Sequence, residues 1–324
     1  KKYDLIVLPS LDSHTAFSAV SSLRTDNYIF TQESMKECSR LLSQDGILCT
    51  RFVAVPDWLW DRHYQLIESS SETEPSGFYR SGILPEGFIV SGPGLASRKD
   101  LKNLADRSFN PRQFNPESKK MPIPTDDWPF LFLPDRAIPP MYAVPLIIAA
   151  LGLLVIGLRE WKMGRTSPYN LTMFGLGAGF MLLEVRCMAA LSLLFGSTWL
   201  VNSIVIGAVM VCILIANFIA FKIKSPKVTY ILLGFLALVI VLSTFVSADS
   251  LTTLPGIGGT LVGCVVFLAP LAFSSAIFSL LFKFSTPEKS TEALAFNLVG
   301  GVLGVCLEYM SMVTGIKALG FIAL

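Results

Sequence analysis

From Met141 onward the chain is a succession of apolar runs, each about 18 residues or longer, the length a helix needs to cross the hydrocarbon core of a bilayer. A backbone in lipid must satisfy its own hydrogen bonds, so such runs fold as helices that pack into a bundle. The runs fall at about 141–158, 171–194, 199–221, 228–247, 260–282 and 293–313, which predicts about six transmembrane helices. The whole chain is 52% hydrophobic and only 15% charged, against roughly 25% charged residues in soluble proteins. That deficit lies almost entirely after residue 140. Residues 1–127 read as a mixed soluble module, 128–140 as a linker, and 141–324 as the helix bundle, so the lipid bilayer is an expected partner.

Several function classes drop out. A net charge of +2 gives no electrostatic footprint for nucleic acid. Cys38, Cys49, Cys187, Cys212, Cys264 and Cys306 show no CxxC spacing, and four of them lie in apolar runs, which argues against a disulfide framework or a zinc site. His14 and His63 are the only histidines and both fall in the soluble module, so the spans offer no histidine pair for a b-type haem. No metal site is expected.

The soluble module has the order of an α/β sheet. Tyr3-Asp4-Leu5-Ile6-Val7-Leu8 is apolar and β-branched, as in a buried parallel strand. Pro9 to Asp26 is a polar loop containing Asp12 and His14. Thr31 is placed to cap a helix with Glu33 in its first turn, Gln44-Asp45-Gly46 stops it, and Ile47 to Val53 forms the next strand. A second helix is predicted over 58–69, and Phe78-Tyr79-Arg80 with Gly87-Phe88-Ile89-Val90 forms an antiparallel pair closing the sheet. Residues 98–127 are proline-interrupted and expected to be irregular. Lys1 is followed at once by a buried-type strand, which suggests a piece of a longer protein whose remaining strands come from an upstream segment or another chain.

Three stretches carry a resemblance: Tyr3 to Asp12, then Tyr28-Ile29-Phe30-Thr31-Gln32-Glu33, then Leu41-Leu42-Ser43-Gln44-Asp45-Gly46-Ile47-Leu48. This succession resembles the C-terminal half of the Rossmann-type domain of spermidine synthases, within the class I methyltransferase-like fold. The resemblance implies an aminopropyltransferase active-site loop in which Asp12 is the base that deprotonates the amine, with decarboxylated S-adenosylmethionine as the substrate. The first acidic position of the family's D-x-x-D loop is Pro9 here, which offers neither a carboxylate nor an N–H. Arg51 stands where the family often has a polar glutamine. The glycine-rich loop and the ribose-binding acid of a dinucleotide-type fold are not in this sequence, so no cofactor is expected in this chain. Asp12 also reads as a loop aspartate capping its own turn, and His14 as a solvated histidine.

The junction Pro124-Thr125-Asp126-Asp127-Trp128-Pro129-Phe130 and two membrane patterns extend the resemblance to the membrane-integral relatives of spermidine synthase. These patterns are Gly175-Leu176-Gly177-Ala178-Gly179-Phe180-Met181-Leu182-Leu183-Glu184-Val185-Arg186 and Asn297-Leu298-Val299-Gly300-Gly301-Val302-Leu303-Gly304 with Glu308. Such relatives carry a major-facilitator-like helix bundle. The junction reads either as a stiff linker with Trp128 and Phe130 near the lipid headgroups, or as a catalytic segment through Asp126 and Asp127. Gly300 and Gly304, one turn apart, suit close helix packing. Glu184, Arg186 and Glu308 are expensive in hydrocarbon and should face the bundle interior. Glu184 and Arg186 point about 200° apart on a helix, so Arg186 is expected to meet an acid on another helix, with Glu308 the candidate.

Loops 159–170, 222–227 and 283–292 hold Arg159, Lys162, Arg165, Lys222, Lys224, Lys227, Lys283 and Lys289, whereas 195–198 and 248–259 hold no Lys or Arg. The positive-inside rule puts the basic loops in the cytoplasm and, after six crossings, the soluble module outside. Three functional readings follow. The first is a catalytically degenerate spermidine-synthase-like protein serving as a structural or docking subunit of a membrane assembly. The second is a membrane-anchored aminopropyltransferase with Asp12 as base. The third is a transporter-like bundle using Glu184, Arg186 and Glu308.

Overall fold

A computed structural model describes residues 1–9, 25–53, 57–80, 86–95, 110–111, 121–196, 199–246, 251 and 258–324. The chain divides into two compact units, Lys1–Ala137 and Ile138–Leu324.

The first unit is a small mixed sheet with two helices. Strand β1 (Tyr3–Leu8) leads to helix α1 (Gln32–Leu41), strand β2 (Leu42–Val53), helix α2 (Asp57–Glu68), the hairpin strands β3 (Ser76–Arg80) and β4 (Glu86–Ser91), and a two-residue strand β5 (Asn110–Pro111). The strand order is β1-β2-β4-β3-β5. β1 runs parallel to β2 from Leu5 opposite Ile47 to Leu8 opposite Thr50, and β4 runs antiparallel to β2 from Leu48 opposite Ser91 to Val53 opposite Glu86. Parallel neighbours need a crossover, and α1 lies within it. Thr31 caps α1 as its side chain accepts from the Ser34 N–H at 3.3 Å.

Three expectations for this unit change. Gln44-Asp45-Gly46 does not end the regular structure but lies inside β2, as an irregularity between the Tyr3–Leu42 and Leu5–Ile47 pairs. The Ser43 hydroxyl donates to the Asp4 carboxylate at 2.6 Å, tying the bulged segment to β1. Second, β1 is not buried: it is the outer strand of the sheet, with Leu5 60% and Val7 52% exposed. Third, Trp128, Phe130, Leu131 and Leu133 are buried within the first unit, which extends to Ala137, so 128–137 is neither a linker nor a headgroup anchor. Hydrophobic burial decides this: two aromatic rings and two leucines gain more from a packed interior than from an interfacial position. The core joins Met35, Leu48, Phe52, Trp60, Leu66, Ile67 and Ile89 from α1, α2 and the sheet with Phe30, just before α1, and Leu131 from the segment after Pro124.

The second unit is all α. It comprises α3 (Pro140–Lys162), α4 (Pro168–Phe195), α5 (Trp199–Lys222), α6 (Val228–Phe245), α7 (Gly258–Lys283), α8 (Pro287–Glu308) and the short helices α9 (Ser311–Thr314) and α10 (Lys317–Ile322). Among the described residues six helices are long and apolar enough to cross a membrane. Among the described residues α4 packs most extensively against α8. A Cβ built on Gly300 or Gly177 would run into backbone atoms of Phe174 or Asn297, and one on Gly304 would lie 2.5 Å from the Ala178 carbonyl oxygen. These matches pair 174 with 300 and 178 with 304, so α4 and α8 run parallel, as the second and sixth crossings must. Only glycine allows two helices this close. The helix α3 contains no buried residue.

Candidate functional site

Asp12 and His14 lie outside the described residues. Pro9, at the end of β1, is exposed. Asp126 and Asp127 are placed, and Asp126 is engaged by α1. The Thr31 hydroxyl donates to Asp126 Oδ1 at 2.6 Å, the Asp126 N–H donates to Glu33 Oε2 at 3.0 Å, and the Gln32 N–H donates to the Pro124 carbonyl at 2.9 Å. Thr125 and Trp128 close the turn by exchanging backbone hydrogen bonds of 2.9 and 3.2 Å. A carboxylate at a helix N-terminus is stabilised by the unsatisfied N–H groups and the helix dipole. The Tyr28 hydroxyl beside this turn is buried without a hydrogen-bond partner among the described residues, and burial, then the charges of Asp126 and Asp127, push its pKa up.

Arg51 does not stand free. It forms an ion pair across the strands with Glu86, which also accepts from Arg80 at 2.6 Å, and its guanidinium lies 5.8 Å from the Phe88 ring centre.

Arg62, which no sequence pattern marked, is the polar hub of the first unit. On α2 and fully buried, it donates to the carbonyls of Leu131 at 2.8 Å, Pro122 at 2.9 Å, Pro134 at 3.3 Å, Phe130 at 3.4 Å and also Leu133. The rings of Trp58 and Trp128 lie 5.5 Å from it. Loss of water lowers its pKa from the ordinary guanidinium range to about 10, with Asp135 acting the other way, so it stays a cation at neutral pH. Its neighbour His63 is wholly buried, stacked on Phe52 with ring centres 4.0 Å apart, and neither ring nitrogen has a hydrogen-bond partner among the described residues. Desolvation lowers its pKa to about 3.

In the second unit Arg186 and Glu308 are each 6% exposed, and Glu184 is half-buried. Arg186 donates through Nη1 to the Ser243 hydroxyl at 2.9 Å and through Nη2 to the Ser243 carbonyl. Ser243 belongs to the last turn of α6, whose carbonyls lack intrahelical donors. The guanidinium therefore meets the negative end of a helix dipole, a partner that reading by charge alone did not anticipate. Gly320 of α10 packs against the same place: a Cβ there would lie 2.7 Å from Thr244 Oγ1 and 2.9 Å from Arg186 Nη1.

Among the described residues no group of three or more His, Cys, Asp or Glu side chains is gathered to hold a metal ion. The chain matches no family model, curated protein or solved structure with which it was compared.

Proposed function

We propose that the chain is a membrane-anchored structural or docking subunit, built on a degenerate spermidine-synthase-like fold. The observation that carries this reading is the outer edge of β1, whose N–H and C=O groups face no neighbouring strand among the described residues and whose Leu5 and Val7 are more than half exposed. An apolar, unblunted edge is a template for strand addition. A strand from an upstream segment or from another chain continues the sheet there. The finer Rossmann-type reading draws support from the parallel β1–β2 pair joined through α1 and from the hairpin that closes the sheet by setting β4 antiparallel to β2. Catalytic silence rests on Pro9 and on the commitment of Asp126 and Arg51 to neighbours within the fold. The basic loops on one side of the bundle orient the α/β module outward, away from cytoplasmic nucleosides.

A photoreactive amino acid at Val7 should give one discrete cross-linked product in native membranes, whereas the same group at the exposed Lys36 of α1 should give none. Calorimetric titration of the purified protein with adenosylmethionine, its decarboxylated form and methylthioadenosine should show no binding. Micromolar affinity lost on Asp12→Ala would overturn the silent-fold reading in favour of a membrane-anchored aminopropyltransferase.

A further inference from the structure

A cleft of about 490 Å³ lies in the bundle between α4, α5, α7 and α8, within the size range of small-molecule sites. Its walls are apolar, including Phe180, Ile213, Phe278 and Val305, with no charged residue among them. Its polar groups are Asn217, Ser274, Ser275 and Asn297. Amides are rare in apolar spans unless they serve as interhelical glue or contact a ligand. Both roles are visible here, on different atoms of the same side chains. Asn217 Oδ1 accepts from the hydroxyls of Ser275 at 2.7 Å and Ser279 at 2.6 Å. Asn297 Nδ2 donates to the Met173 carbonyl at 2.9 Å. The bond to Met173 fixes the Asn297 amide, because a carbonyl can only accept; the bonds to Ser275 and Ser279, whose hydroxyls could also accept, are made by Asn217 Oδ1 in this structure. They leave over the donor Nδ2 of Asn217 and the acceptor Oδ1 of Asn297, to which the described residues give no partner.

The polar and apolar parts are sorted by depth. Asn217, Ser275 and Asn297 lie about 8, 12 and 15 Å along their helices from the ends that carry Lys222, Lys283 and Pro287. Val302 and Val305 lie deeper, about 22 and 27 Å from the same side. The wall formed by Leu298, Val302 and Val305 is itself partly exposed, so the cleft opens sideways into the hydrocarbon.

We infer that this cleft binds a neutral amphiphile from the bilayer: an alcohol-type head that donates to Asn297 Oδ1 and accepts from Asn217 Nδ2, on an apolar chain lying along α8 toward Val305. A charged head is excluded, because the lining offers no counter-charge and would leave the ion desolvated. A plain hydrocarbon fits the apolar end but leaves both amide groups unpaired.

The test uses the full chain in phosphatidylcholine nanodiscs with a diazirine-bearing hexadecanol as the probe. Photolysis should label the α4 and α8 peptides bordering the cleft, and unlabelled hexadecanol should compete while palmitate and hexadecane do not. Asn217→Leu and Asn297→Leu should each lower labelling about tenfold, the value of one lost hydrogen bond. Because Asn297 also holds α4, two further variants guard against misfolding. A Cβ on Gly301 meets only Met181 Cγ, at 3.8 Å, so Gly301→Ala folds while narrowing the cleft. Val302→Trp narrows its lateral mouth from the lipid side. Both should reduce labelling with an unchanged melting temperature. Competition by hexadecane or palmitate equal to that of hexadecanol would overturn the inference, as would undiminished labelling in all four variants or labelling that avoids the cleft peptides.

Discussion

At the scale of single residues, two of the buried ionisable side chains, His63 and Arg186, have environments that lead to different behaviour. His63 has its pKa lowered from 6.5 to about 3 by desolvation. Between these values the unfolded chain binds a proton that the folded chain refuses, so stability is fully present above about pH 6.5 and falls as pH drops toward 3. The slope reaches about 1.4 kcal/mol per pH unit inside that window. Denaturant unfolding of the full chain at pH 7 and pH 5 should show this loss, and His63→Leu should remove most of it while the carboxylate contributions remain. Arg186 is held by hydrogen bonds to Ser243. Arg186→Leu strips the donors from a buried carbonyl and hydroxyl, and should cost about 1–3 kcal/mol, read as a lower melting temperature in detergent. Arg186→Lys should recover part of the loss, because an ammonium can still reach the end of α6. A neutral Arg186→Leu would remove the case for a structural role. The general position of Arg186 could be read from the sequence, because a charge inside an apolar run must find shelter. Its acceptor could not, since helix-end carbonyls leave no mark in a side-chain pattern. Arg62 was harder still: the carbonyls it gathers lie 60 to 72 residues further along the chain.

At the scale of elements, the row of small residues on α8 has two faces with opposite tolerance. Gly300 and Gly304 abut the α4 backbone, whereas Gly301, one position away, meets a single side-chain carbon at 3.8 Å. Gly304→Leu should separate the pair and cost about 1–3 kcal/mol or more, whereas Gly301→Ala should be nearly neutral. Thermal unfolding of the two variants side by side measures the difference. The membrane helices were legible because length and apolarity suffice to mark a span, and the small-xxx-small spacing pointed to close packing. Strands β1, β3 and β4 were legible from β-branched runs and turn residues. The extension of β2 back to Leu42 was not, because Gln44-Asp45-Gly46 has the composition of a turn and only its pairing with β1 makes it a bulge. The 128–133 segment misled for a related reason. Tryptophan and phenylalanine next to a span suit either a headgroup layer or a protein interior, and the choice depends on Arg62, which anchors their carbonyl neighbours.

At the scale of the whole molecule, the proposed orientation can be tested. In a background with the six native cysteines replaced, Lys36→Cys should react with a membrane-impermeant maleimide on intact cells, and Lys224→Cys should react only after the membrane is opened. The reverse pattern would place the α/β module in the cytoplasm and return the enzyme reading to the front. A different consequence follows from α3, which is among the most apolar of the spans and contains no buried residue. It is at home in lipid as soon as it forms, with nothing to wait for. The helix α4 is less apolar and carries Glu184 and Arg186, and its main packing partner α8 is synthesised about a hundred residues later. During biogenesis, α4 must therefore be sheltered at the site of insertion until α6 and α8 emerge. The interval between those events is when the nascent chain is most open to quality-control proteases, and slowing translation between α4 and α8 should lengthen it.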